Sequence, residues 1–231
     1  MRFSALLKKE LRESLPWMLL AAIAFFAIGS FVLRIEPHNE NYYYRYSRIS
    51  PGTIISHYDL TFYPTLKVTG PWLFFLSIGL GLVLGVQQFW IPHFTRTWPF
   101  LLHRSVSRKT ILAAKLTATM IAFVISLGLV WIGLYWYAGQ PEVFPIPQTL
   151  RVFIEGWIFI MLGLVTYLGT ALSGLSTAKW YTTKILGLAF ATVIIVTTLS
   201  QWTLAGVFVV IAVSTAILLS QIFYTFLRRE F

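Results

Sequence analysis

From Ile185 to Leu227 the chain is apolar for 43 positions. A transmembrane helix takes about 20 apolar residues, so this run is too long for one crossing and has to turn back on itself. Ser200-Gln201-Trp202-Thr203 is the turn within it, leaving helices at Ile185–Leu199 and Leu204–Leu227. The first of these is short for a bilayer and reads as a broken or incomplete crossing. Four more apolar runs precede it, at Pro16–Leu33, Pro71–Ile91, Ile111–Tyr137 and Val152–Leu175. The expected fold is therefore an all-α integral membrane protein with six transmembrane helices in a single transmembrane domain spanning residues 1–231.

Composition agrees, because only 11% of residues are charged, against about a quarter in soluble domains. The net charge of +10 fits basic loops facing anionic lipid and the cytoplasm. It does not point to nucleic acid, which needs a basic soluble surface with interleaved aromatics. The absence of cysteine removes a disulfide framework, a thiolate zinc site and a Cys nucleophile.

Residues 1–15, MRFSALLKKELRESL, space Phe3, Leu6, Leu7, Leu11 and Leu15 along one helical face, with Lys8, Lys9, Arg12 and Glu13 on the other. This reads as an amphipathic helix at the membrane surface. Glu10 and Glu13 before the first apolar run, and the lack of a small-residue cleavage pattern after it, make that run a retained span rather than a signal peptide. Residues 34–70 form the longest polar connection, where Ser50-Pro51-Gly52 and the Tyr42, Tyr44, Tyr46 alternation suit a small hairpin. His38, His57 and Asp59 in this loop have no spacing that brings them together around a metal.

Small residues recur every four positions in span two (Ser77, Gly81, Gly85) and in span three (Ala114, Ala118, Ala122, Ser126). Such stripes let helix backbones approach closely. Lys115, near the start of span three, is expected to snorkel back to the surface the helix comes from. Glu155, near the start of span four, reads as a solvated or Arg151-paired carboxylate rather than an ion site. Six spans put both termini on one side. Placing that side in the cytoplasm puts thirteen of the eighteen Lys and Arg residues inside, as the positive-inside rule requires.

No catalytic constellation assembles. HExxH, a Walker A sequence and paired membrane histidines are all missing, and no histidine follows His103 to serve as base for Ser173, which reads instead as a packing residue beside Gly169 and Gly174.

The same topology makes residues 92–110 a cytoplasmic loop with a basic, partly apolar centre: Phe100, Leu101, Leu102, His103, Arg104, Ser105, Val106, Ser107 and Arg108. Ile111-Leu112-Ala113-Ala114-Lys115-Leu116 follows it, and LLKKELRESL opens the chain. Together these resemble the membrane permease subunits of ATP-binding-cassette (ABC) transporters, type-2 exporter family. The resemblance implies a coupling elbow between spans two and three that docks in a groove of a separate ABC ATPase subunit.

Phe100, Leu101 and Leu102 would fill the groove, Arg104 and Arg108 would meet its acidic residues, and Ser107 would cap the helix that follows. The chain itself would hold no cofactor and be no enzyme, with ATP and Mg bound on the partner. A second permease copy or paralogue would complete the pathway. The substrate would be amphipathic, lipid-like or peptide, and the location the inner (plasma) membrane of a prokaryotic cell, with both termini cytoplasmic. Two features depart from the family's pattern: Gln87 and Gln88 stand where an acidic residue is common, and Ser105 replaces a proline. Two other readings remain open, a non-transporting membrane anchor or sensor that recruits a cytosolic protein through the same loop, and an ion-coupled carrier using Glu155.

Overall fold

In a computed structural model the structure describes residues 2–35, 65–95, 107–140, 149–176, 185–201 and 203–228, and all regular elements among them are helical. Five helices are long and apolar enough to cross a membrane, as in a multi-pass membrane protein. They are α1 (Arg2–Ile35), α2 (Leu66–Phe94), α3 (Arg108–Ala138), α4 (Leu150–Leu175) and, after a shorter helix, α6 (Leu204–Arg228). The shorter one, α5 (Leu186–Leu199), has 14 residues and extends about 21 Å, less than a hydrocarbon core of about 30 Å.

The boundary expected at Pro16 is not a break. Helix α1 runs unbroken for 34 residues with Pro16 inside it, a length of about 51 Å that projects well beyond the hydrocarbon. Neighbouring helices make an internal proline tolerable in a membrane by satisfying backbone groups the ring leaves open. Within the same turn, Gln87 Nε2 of α2 donates to the Glu13 carbonyl at 2.8 Å. Buried positions on α1 follow a single stripe, Glu10, Ser14, Met18, Ala21, Phe25, Gly29 and Leu33, at the spacing of one helix face. The opposite face leaves Leu19, Leu20, Ile23, Phe26 and Phe31 exposed, suited to lipid.

Helix α4 is the centre of the bundle, with 83% of its apolar window buried. It packs most extensively on α2, and also on α5 and α6, while α3 packs chiefly along α1. The α2–α4 contact is backbone on backbone. A Cβ on Gly163 would lie 2.5 Å from the Ser77 carbonyl, and one on Gly81 would overlap the Gly163 carbonyl. The small stripe Ser77, Gly81 and Gly85 is thus buried against α4, as its spacing led one to expect. Ala114, Ala118, Ala122 and Ser126 are buried likewise on α3.

Two helices widen locally. α2 passes through a π turn at Val86–Trp90 and α3 through another at Val124–Gly128. Single π turns inside α-helices are often found at functional positions.

Candidate functional site

The polar side chains that a membrane bundle can least readily bury gather at the end where α1 begins and α2 ends. Lys115 Nζ lies 2.9 Å from Glu10 Oε1, and both residues are buried, 3% and 6% exposed. This corrects the expectation that Lys115 reaches back to the surface. Lys115 sits on the buried face of α3 with Ile111, Ala118 and Ala122, and that face is turned to α1, where Glu10 waits. Truncating one partner of such a pair costs about 3–5 kcal/mol, because the other charge is left buried alone.

Next to the pair stands a hydrogen-bonded trio. Tyr167 OH donates to Gln88 Oε1 at 2.6 Å, and Thr119 Oγ1 donates to the same oxygen at 3.3 Å. Lys115 Nζ is 5.9 Å from the centre of the Phe89 ring, within cation–π reach. Both Gln88 and Phe89 lie in the π turn and are buried. Trp90 packs against Gly174 and donates from Nε1 to the Thr170 carbonyl at 3.0 Å.

These contacts also collect the chain's ends. Glu10 on α1 meets Lys115 on α3, and Arg108 Nη1 at the start of α3 approaches the Leu227 carbonyl at the end of α6, at 3.4 Å. Both ends of the described chain therefore lie beside the flanks of the basic loop.

Of the loop residues, Phe100, Leu101, Leu102, His103, Arg104, Ser105 and Val106 lie outside the described residues, as do His38, His57 and Asp59. Ser107 and Arg108 are described. Ser107 takes the extended N-cap conformation (φ −65°, ψ 143°), and its Oγ accepts from Thr110 N at 3.2 Å. It caps α3 as its position before the helix requires.

Glu155 pairs with Arg151 one turn earlier at 3.0 Å in a partly exposed contact. Ser173 Oγ accepts from Leu188 N at 3.0 Å, tying α4 to the start of α5 in a packing role. Among the described residues, no group of three or more His, Cys, Asp or Glu side chains is placed to hold a metal ion.

No protein-family model matches the chain, and no curated protein or solved structure matches it either. The site therefore rests on its own geometry. Sequence reasoning missed Glu10, which it used only to argue against a signal peptide. The signal was present, since Glu10 heads the stripe Ser14, Met18, Ala21 and Phe25 that turns out to be the buried face of α1.

Proposed function

We propose that the chain is the membrane permease subunit of an ABC transporter of the type-2 exporter kind, moving an amphipathic, lipid-like or peptide substrate with energy from a separate ATPase. The observation that carries this reading is the continuity of α3. It leaves the basic loop at the Ser107 cap, runs to Ala138 without a break, and is fastened near its start to α1 by Glu10 and Lys115. A displacement of the loop by a docked ATPase would pass directly into two long helices, which is what coupling to a partner's closure demands. Glu10 also brings a buried carboxylate from α1 to the end of α2, where the family's pattern has its own acidic residue and this chain has Gln87 and Gln88.

In this reading the α5–α6 hairpin completes six spans. The ends that gather beside the loop are cytoplasmic in a plasma membrane, where the positive-inside rule puts most of the basic residues. A second permease copy or a paralogue faces this one across the pathway.

The test is co-purification of the tagged chain from its native cells, with any ABC ATPase subunit identified in the eluate. Association is expected, and Leu102→Asp combined with Arg108→Glu is expected to abolish it without loss of membrane insertion. Failure to recover an ATPase, or association undiminished in that variant, overturns the assignment.

A further inference from the structure

The helices fall into two tightly joined pairs with a polar seam between them. In the α2/α4 pair the backbones touch through Gly81 and Gly163, and a Cβ on Gly85 would lie 2.6 Å from Thr170 Cβ. Packing this close leaves no side chains that can repack, so the pair moves as one body or not at all. In the α1/α3 pair the Glu10–Lys115 ion pair is followed along the helices by the Phe25–Trp131 ring contact, 6.4 Å between centres, and by Leu134 against Gly29.

At the end marked by the π turn, contact across the seam is of another kind. Gln87 reaches from α2 to the Glu13 carbonyl of α1, Gln88 to Thr119 of α3, and Phe89 to Lys115. All three come from the single π turn. Gln87 Oε1 and Gln88 Nε2 are buried without a hydrogen-bond partner among the described residues. A buried amide group left so is costly, and contact with water or a shifted partner would relieve it. The closed seam is therefore poised at that end, where its glue is hydrogen bonds rather than apolar packing.

Further along the bundle the closure is apolar. Trp131 of α3 overlies Gly156 of α4 and donates from Nε1 to the Phe153 carbonyl at 3.2 Å. Trp131 lies 12 positions after Thr119, about 18 Å along the helix. The apolar closure begins nearer, where Phe123 of α3 packs against Gly163 of α4 four positions after Thr119, and it continues to Trp131.

We infer that the seam between the α1/α3 and α2/α4 pairs is the moving joint of this chain, admitting water at the Val86–Trp90 π turn while both pairs stay intact. Tyr167 is a positioning residue for it, since its hydroxyl holds the Gln88 amide toward Thr119. The inference does not depend on the proposed function, because it concerns which helices move and not what drives them.

The chain has no cysteine, so single cysteines report directly. Thr119→Cys places a thiol on the seam, and Ser77→Cys places one inside the α2/α4 pair; both parent residues are fully buried. The full-length chain in detergent is treated with a positively charged methanethiosulfonate reagent. The Thr119→Cys thiol is expected to react at least tenfold faster than the Ser77→Cys thiol. Adding Tyr167→Phe should speed the first reaction several-fold and leave the second unchanged. Equal protection of both thiols, equal reactivity of both, or no response to Tyr167→Phe overturns the proposal. If Thr119→Cys does not elute as a folded protein, Gln88→Cys occupies the same seam, and its thiol is expected to react at least tenfold faster than that of Ser77→Cys, without the Tyr167→Phe arm; equal rates overturn the proposal.

Discussion

Glu10 and Lys115, 105 positions apart in sequence, meet at 2.9 Å with both side chains buried. The contact joins the first turns of α1 to the first turns of α3 where a membrane protein has little water to shield either charge. Lys115→Met or Glu10→Leu alone should lower thermal stability in detergent by about 3–5 kcal/mol, since each leaves a buried charge unpaired. The double variant should recover most of that loss, because apolar side chains of similar size replace the pair without desolvating a charge. Additive losses in the double variant would show that the two side chains do not act on one another.

Glycine position decides a second outcome. A Cβ at Gly81 or Gly163 runs into backbone carbonyls of the facing helix, whereas one at Gly79 or Gly133 meets nothing within 4 Å. Gly163→Ala should therefore force α2 and α4 apart and destabilise by about 1–3 kcal/mol, the usual range for overpacking. Gly79→Ala and Gly133→Ala should be neutral, or stabilise by about 0.5–1 kcal/mol through the better helix propensity of alanine. Thermal unfolding of the three variants is the measurement, and comparable behaviour of Gly163→Ala and the other two would refute the close α2–α4 contact.

Much of this architecture was legible in the residues, and the reason is periodicity. Apolar runs of membrane length named the long helices, and the intervals of four in Ser77, Gly81 and Gly85 marked the face that packs on α4. Ends were legible where a cap marks them, as at Ser107, and displaced where nothing does: α2 begins at Leu66 rather than Pro71 and ends at Phe94 rather than Ile91. What stayed hidden depends on the pairing of helices distant in sequence. Neither Glu10 nor Lys115 announces its partner, because Glu10 sits in a segment that suits a surface helix and Lys115 near enough to a span's start to reach water, and only the meeting of two buried stripes turns them to each other. The π turn was equally silent, since nothing in VQQFW distinguishes five residues wound wide from five wound as an α-helix.

The Ser107 cap makes a local prediction. Its Oγ accepts from Thr110 N at 3.2 Å and lies 2.6 Å from Thr110 Oγ1, so the first turn of α3 depends on an oxygen at this position. Ser107→Ala should cost about 1 kcal/mol there and speed amide hydrogen exchange at Thr110 and Ile111 roughly fivefold, by the usual relation of 1.4 kcal/mol to a factor of ten. Exchange around Ala118 should not change. Ser107→Asp, which keeps an acceptor and sets a negative charge at a helix N-terminus, should restore protection. Unaltered exchange in Ser107→Ala would mean that the loop before it, not the cap, holds the turn.

Salt separates the two carboxylates by their surroundings, Glu155 beside Arg151 and Glu10 beside Lys115. Glu155 meets Arg151 with side chains 30% and 70% exposed, an i,i+4 pair of the kind that contributes about 0.3–0.5 kcal/mol and is screened by ions. Glu10 meets Lys115 with side chains 7% and 4% exposed, where screening is weak. Glu155→Gln should therefore shift the unfolding temperature slightly at low ionic strength and not at all at 1 M salt, where the screening length is about 3 Å. Glu10→Gln should lower it substantially under both conditions. An ion-coupled carrier working through Glu155 would need that carboxylate for transport, so substrate movement undiminished in Glu155→Gln would exclude the carrier reading. Loss of movement in that variant, with stability unchanged, would instead bring Glu155 into the transport site.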